Sequence, residues 1–270
     1  MSTENTQPIG VFDSGLGGLS VLKELAQRFT GESFIYLGDT ARLPYGSKSV
    51  DTIYKYAEQN IEFLLGQNCK VIVAACNSAS SALLAYPEKN FDVPVINVIE
   101  PASQSAITTS QTNTIGILGT RATVQQKAYD QIITKLNPKA IVHSQACPLF
   151  VPFIEEGLVN DPIMNLIIHR YVYPLLSTNI DTLILGCTHY PLIKEHIQKV
   201  VGNYIQLIDS APAVADILQH KFGAKKIEAN TSTDPQSISL FITDINSRFE
   251  EVASKFLNPV TYSNITATHL

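Results

Sequence analysis

The chain has 270 residues, 45% hydrophobic and 16% charged, with a net charge of −5. That length buries a sizeable core, as one large domain or two of ordinary size. An acidic balance without a Lys/Arg run argues against nucleic acid and anionic membrane surfaces as partners, and no apolar stretch approaches the roughly 20 residues that span a bilayer.

Met1 to Gln7 is polar and lacks the basic-then-apolar layout of a signal peptide, so the expected location is cytoplasmic. The first strand is expected at Ile9–Asp13, an apolar run closed by a carboxylate. Gly15-Leu16-Gly17-Gly18 then turns into a helix whose buried face carries Leu19, Leu22, Leu25, Ala26 and Phe29. Further strands are expected at Phe34–Leu37, Val71–Ala75, Val95–Val98 and Thr114–Leu118, then at Thr182–Leu185, Ile205–Ile208 and Leu240–Thr243. Helical spacing marks Ile53, Ala57, Ile61 and Leu64, and again Val214, Ile217, Leu218 and Phe222. A closing helix is expected over Ser247–Leu257. This alternation predicts an α/β fold, mostly parallel sheet flanked by helices.

The half of the chain repeats. Ile9-Gly10-Val11-Phe12-Asp13-Ser14 resembles Ile115-Gly116-Ile117-Leu118-Gly119-Thr120. At similar offsets follow two more matching segments, Ile72-Val73-Ala74-Ala75-Cys76-Asn77-Ser78 and Leu183-Ile184-Leu185-Gly186-Cys187-Thr188-His189. Each ends a buried strand on a cysteine, where open α/β sheets place ligands. Two pseudo-symmetric units with facing strand ends would put Cys76 and Cys187 in one cleft.

The residues after each cysteine are expected to begin a helix. Asn77, Ser78, Thr188 and His189 would then hold a carboxylate, and the same donors would favour thiolate over thiol. Asp13, at a strand end, either positions a ligand ammonium, tunes a thiol or caps the next helix. The loop Gly38-Asp39-Thr40-Ala41-Arg42-Leu43-Pro44-Tyr45-Gly46 sits at the same end of the sheet. The glycine turn either offers N–H groups to an anion or is simply tight. It is no dinucleotide fingerprint, because Ser20 stands where the last glycine is needed. Cys69 and Cys147 read as small buried hydrophobes.

Asp13-Ser14-Gly15-Leu16-Gly17-Gly18, Gly38-Asp39-Thr40-Ala41-Arg42 with Pro44-Tyr45-Gly46, Ala75-Cys76-Asn77-Ser78-Ala79-Ser80 and Gly186-Cys187-Thr188-His189-Tyr190-Pro191 together resemble the bacterial glutamate racemases of the cofactor-independent aspartate/glutamate racemase family. The likeness runs from about Ile9 to about Leu257; Ser78 stands where many members have Thr, and the tail from Asn258 matches nothing in the family. The resemblance implies an isomerase that interconverts L- and D-glutamate without a cofactor or metal and supplies peptidoglycan synthesis. It implies Cys76 and Cys187 as the two acid/bases, with Asp13, His189 and Glu155 as auxiliary groups. Substrate contacts would fall on Asp13, Ser14, Tyr45, Gly46, Asn77, Ser78, Thr188 and His189, with Thr120 and Thr123 as additions. It implies two α/β domains, residues 1–98 with 213–270 and residues 99–212, around a shared active site. A homodimer is considered, and the sequence leaves oligomeric state open. The rival readings are a racemase of another acidic amino acid such as aspartate, a two-lobed amino-acid binding protein, and a hydrolase with one nucleophilic cysteine.

Overall fold

The computed structural model describes residues 6–231, 235–245 and 249–270. Its strands are β1 (Ile9–Asp13), β2 (Phe34–Gly38), β3 (Val71–Ala74), β4 (Val95–Asn97), β5 (Thr114–Gly119), β6 (Ile141–Ala146), β7 (Thr182–Gly186), β8 (Gln206–Asp209), β9 (Ile238–Ile242) and β10 (Asn264–Ala267). They form two sheets, β10-β9-β2-β1-β3-β4 and β6-β5-β7-β8, and every pairing is parallel. The helices are α1 (Leu19–Arg28), α2 (Val50–Gly66), α3 (Asn77–Ala85), α4 (Ile99–Thr109), α5 (Arg121–Gln126), α6 (Ala128–Leu136), α7 (Phe150–Glu155), α8 (Pro162–Leu176), α9 (Lys194–Val201), α10 (Ser210–Gly223) and α11 (Phe249–Leu257). Among the described residues, no helix is long and apolar enough to cross a membrane.

The sandwiching follows from the sequence. Every residue of β1 is buried, because helices cover both faces of the sheet. Alternate side chains go to opposite sides. Ile9 and Val11 pack with Leu22, Leu25, Val214 and Phe249, whereas Phe12 packs with Ile53, Ile61, Ile72 and Ala79. In the second sheet, Leu183 and Leu185 of β7 join Ile168, Val172 and Ile197, while Ile184 joins Ile99, Ala106 and Ile133. The two sheets with their helices make two lobes, and α10, which runs through the expected boundary at 212/213, packs on α1 and on α4.

Two strands escaped the sequence reading. β6 is an edge strand whose His143, Ser144 and Gln145 interrupt the apolar run, and none of its six residues is fully buried. β10 lies in the tail and adds to the open edge of β9. The expected last strand at Leu240–Thr243 begins earlier, at Ile238, and stops before Thr243, whose hydroxyl binds Asp39. The expected start of the closing helix at Ser247 lies outside the described residues.

At the opposite end of the first sheet from the cysteines, Lys70 and Glu32 form a buried ion pair, Nζ to Oε2 2.7 Å, with side chains 5% and 6% exposed. Lys70 Nζ also donates to the Glu228 carbonyl, and Glu32 Oε1 accepts from the Asn230 N–H, so the pair pins the loop before β9. Removing one partner leaves the other charge buried. Lys70→Ala is therefore expected to cost about 3–5 kcal/mol in urea unfolding; a loss below about 1 kcal/mol would show the pair to be solvent-compensated.

Candidate active site

β1, β3, β5 and β7 end at the same place, where the two lobes face each other across a cavity of about 360 Å³. Cys76 and Cys187 both line it, one from each lobe. So do Ser14, Tyr45, Gly46, Asn77, Ser78, Thr120, Glu155, Thr188 and His189. Asp13 and Thr123 stand just behind the wall, each touching residues that line it.

Cys76 sits between β3 and α3 and is 6% exposed. Its Sγ donates to Ser14 Oγ at 3.7 Å. Burial, with the Asp13 carboxylate adding to it, pushes the thiol up to about 12 against the opposing Ala79 N–H and Ser14 hydroxyl. The expectation that the helix start would favour thiolate is overturned here: α3 begins as predicted, but desolvation outweighs its donors. Asp13 is fully buried and accepts from Gly15 N at 2.8 Å and from Thr188 Oγ1 at 3.2 Å. Burial raises its pKa, opposed by His189 and by those donors. It does not act from the cap position of α1, which Gly18 occupies.

Cys187 has a different surrounding. His189 Nδ1 lies 3.9 Å from its Sγ, and His189 Nε2 lies 3.0 Å from Glu155 Oε1. Burial pushes the imidazole down, but hydrogen bonds and charge from Cys187 and Glu155 outweigh it and bring His189 up to about 10. Glu155 rather than Glu156 thus meets His189, although both line the cavity. Thr188 and His189 do not begin a helix, contrary to expectation. A short 3-10 turn occupies Tyr190–Ile193, and α9 starts only at Lys194. Pro191 supplies no N–H to extend the turn's ladder.

Three hydroxyls cluster across the cleft: Ser78 Oγ lies 2.9 Å from Thr120 Oγ1, and Thr120 Oγ1 lies 3.0 Å from Thr123 Oγ1. Thr120 also caps α5 by accepting from Thr123 N. Asn77 Nδ2 donates to Tyr129 Oη at 2.8 Å, which engages one of its two hydrogens. Tyr45 turns its hydroxyl away from the cavity to Asp39, which also accepts from Arg42 Nε at 2.6 Å and Thr243 Oγ1 at 3.1 Å.

Two glycines set how closely the lobes approach. A Cβ on Gly17 would lie 2.3 Å from Thr188 Oγ1, and one on Gly46 would lie 2.7 Å from Thr120 Cβ. Sequence reasoning missed Asp39 and Tyr129 as supports. Asp39 stood inside a quoted motif, but nothing in the sequence distinguished a buried acceptor from a turn residue. Cys147, expected to be a packing residue, is fully buried and also forms part of the cavity wall.

The family model described as Asp/Glu/Hydantoin racemase matches residues 9–218. The glutamate racemase of Syntrophus aciditrophicus is 42% identical over 250 residues, which cover 93% of this chain and 92% of that protein. The crystal structure of a glutamate racemase isoform from Bacillus anthracis superposes with a TM-score of 0.92 at 35% identity, covering 98% of both chains. The glutamate racemase of Francisella tularensis, solved in complex with D-glutamate, superposes with a TM-score of 0.90 at 38% identity, again covering 98% of both chains.

Proposed function

The chain belongs to the Asp/Glu/hydantoin racemase family, and on that premise we propose a glutamate racemase in which Cys76 and Cys187 work as opposed acid and base. The observation that carries this reading is the placement of the two thiols on facing lobes of one cavity. The α-proton of an amino acid is hard to remove because the carbanion is poorly stabilised. The site offers preorganised donors: the Ser78 and Thr120 hydroxyls line the cavity side by side, and with the first N–H groups of α3 they would hold a substrate carboxylate. Burial excludes water from the developing enediolate.

The two thiols differ in a useful way. Burial favours the protonated form of Cys76, which suits it to reprotonate the α-carbon. Cys187 has an imidazole within reach to take and return its proton. Cys187 then deprotonates L-glutamate and Cys76 deprotonates D-glutamate, with Asp13 and the His189–Glu155 pair exchanging protons with their thiols. Asp13, Ser14, Tyr45, Gly46, Asn77, Ser78, Thr120, Thr123, Thr188 and His189 complete the substrate site, by direct contact or from the layer behind.

Polarimetry of L- and D-glutamate with purified protein, no added cofactor and a chelator present, tests this reading. Both enantiomers should approach an equal mixture, faster than either enantiomer of aspartate. No rotation change with glutamate would sink it. The product would serve peptidoglycan synthesis in the cytoplasm. We place the domains at residues 1–98 with 213–270 and residues 99–212, which the sheet membership supports. The exposed Ile163, Leu166 and Tyr173 on α8 offer the apolar surface for a homodimer.

The raised His189 gives a pH signature. Its folded pKa of about 10 exceeds the ordinary 6.5, so the stabilisation is full below about 6.5 and is lost as pH rises through about 10. Glu155→Gln removes one cause of that rise. The alkaline limb of kcat/KM should therefore move to lower pH in the variant, and an unmoved limb would mean that Glu155 does not act on His189.

A further inference from the structure

We propose that Tyr129 is a positioning residue that ties the two cysteine segments together across the cleft. Tyr129 belongs to α6 of the second lobe and is 1% exposed. It does not line the cavity, so it acts only through what it touches. Its hydroxyl holds the side chain of Asn77, the residue after Cys76, by the 2.8 Å bond from Nδ2. Its ring packs on the residue before Cys187: a Cβ added to Gly186 would meet Tyr129 Cε2 at 3.2 Å. One side chain thus contacts the immediate neighbours of both thiols, which lie on opposite sides of the lobe boundary.

The Asn77 amide depends on this contact. Asn77 is 2% exposed, and its Oδ1 is buried with no hydrogen-bond partner in the protein. The bond to Tyr129 uses one of the two Nδ2 hydrogens and fixes the amide plane, so it sets the direction of the second, the donor that remains for a ligand. Deleting the Tyr129 hydroxyl frees the amide to rotate and leaves a buried donor without its partner. Gly186 has no side chain because the Leu118 carbonyl oxygen would lie 2.7 Å from its Cβ and the Tyr129 ring covers the same side. The ring therefore fixes the height of the Cys187 segment, while the hydroxyl fixes Asn77.

This inference rests on the racemase reading, and kinetics of the intact protein test it. Tyr129→Phe keeps the ring on Gly186 and deletes only the hydroxyl. It should raise KM for both glutamate enantiomers about 10-fold while kcat stays within about 3-fold. Asn77→Ala should raise KM at least as far. The double variant should be no worse than Asn77→Ala alone, because the hydroxyl reaches the Cys76 segment through that amide. A merely structural role would instead lower the melting temperature with KM unchanged, or give additive effects in the double variant; either result overturns the proposal. Should Asn77→Ala not fold, the KM of Tyr129→Phe decides. Failure of the unmodified protein to racemise glutamate would overturn the functional reading itself, whereas an active protein with an unchanged KM in Tyr129→Phe would overturn this inference alone.

Discussion

Replacing Cys76 or Cys187 by Ala is expected to lower kcat by about 10²–10⁴-fold in both directions. On the proposed mechanism each turnover uses one thiol as base and the other as acid, so neither direction can bypass the missing group. The reason lies in the geometry: the thiols line one cavity from different lobes, Cys76 bonded to the Ser14 hydroxyl and Cys187 beside the His189 ring. Isotope incorporation separates this from a single swinging base. In D₂O, D-glutamate formed from L-glutamate should carry deuterium at the α-carbon, while L-glutamate recovered early should carry little, because the thiol that removed the proton returns it to its own face. Equal early deuterium in both, read by proton NMR, would count against opposed thiols. Cys69→Ala should leave kcat near that of the parent, since Cys69 packs beneath Gly10 away from the cleft. Cys147→Ala is a different case from the one the sequence suggested: its side chain forms cavity wall, so its loss should be felt in KM.

The sheet-and-helix layout was legible because parallel strands buried on both faces write near-continuous apolar runs. β1, β3, β5 and β7 have that form. β6 and β10 do not, since edge strands carry polar and exposed residues that look like loop. The site followed the same rule. Cys76 and Cys187 were visible because each closes a buried strand in a repeated segment. What the sequence could not carry was the balance between burial and donors at Cys76. A helix start favours thiolate, and only the degree of burial at Cys76 decides that desolvation wins. The two halves, alike in sequence, also differ after the cysteine: α3 begins at once, whereas Pro191 and a 3-10 turn delay α9 and leave His189 free to reach Glu155. Contacts made across the lobe boundary, Thr188 to Asp13 and Asn77 to Tyr129, join residues far apart in the chain and leave no local pattern.

Gly17→Ala should lower kcat about 10²-fold with little loss of folding. The added Cβ would lie 2.3 Å from Thr188 Oγ1 and 2.5 Å from His189 Nδ1, far inside normal contact, so one side must move. Neither neighbour gives way freely. Thr188 Oγ1 is bonded to buried Asp13, and the His189 ring is held between Cys187 and Glu155. The wedge therefore pushes the Cys187 segment from the Asp13 side of the cleft and spreads the two lobes. A displacement near 1 Å at reacting groups costs on the order of 10²-fold in rate. Each lobe keeps its own core, so thermal unfolding should shift only slightly. Gly31→Ala is the matched control, because a Cβ there meets nothing within 4 Å and should leave kcat unchanged. Full activity in Gly17→Ala would mean that the lobes tolerate separation at this point, and that the spacing of Cys76 and Cys187 is not set by the contact between Gly17 and the Thr188–His189 turn.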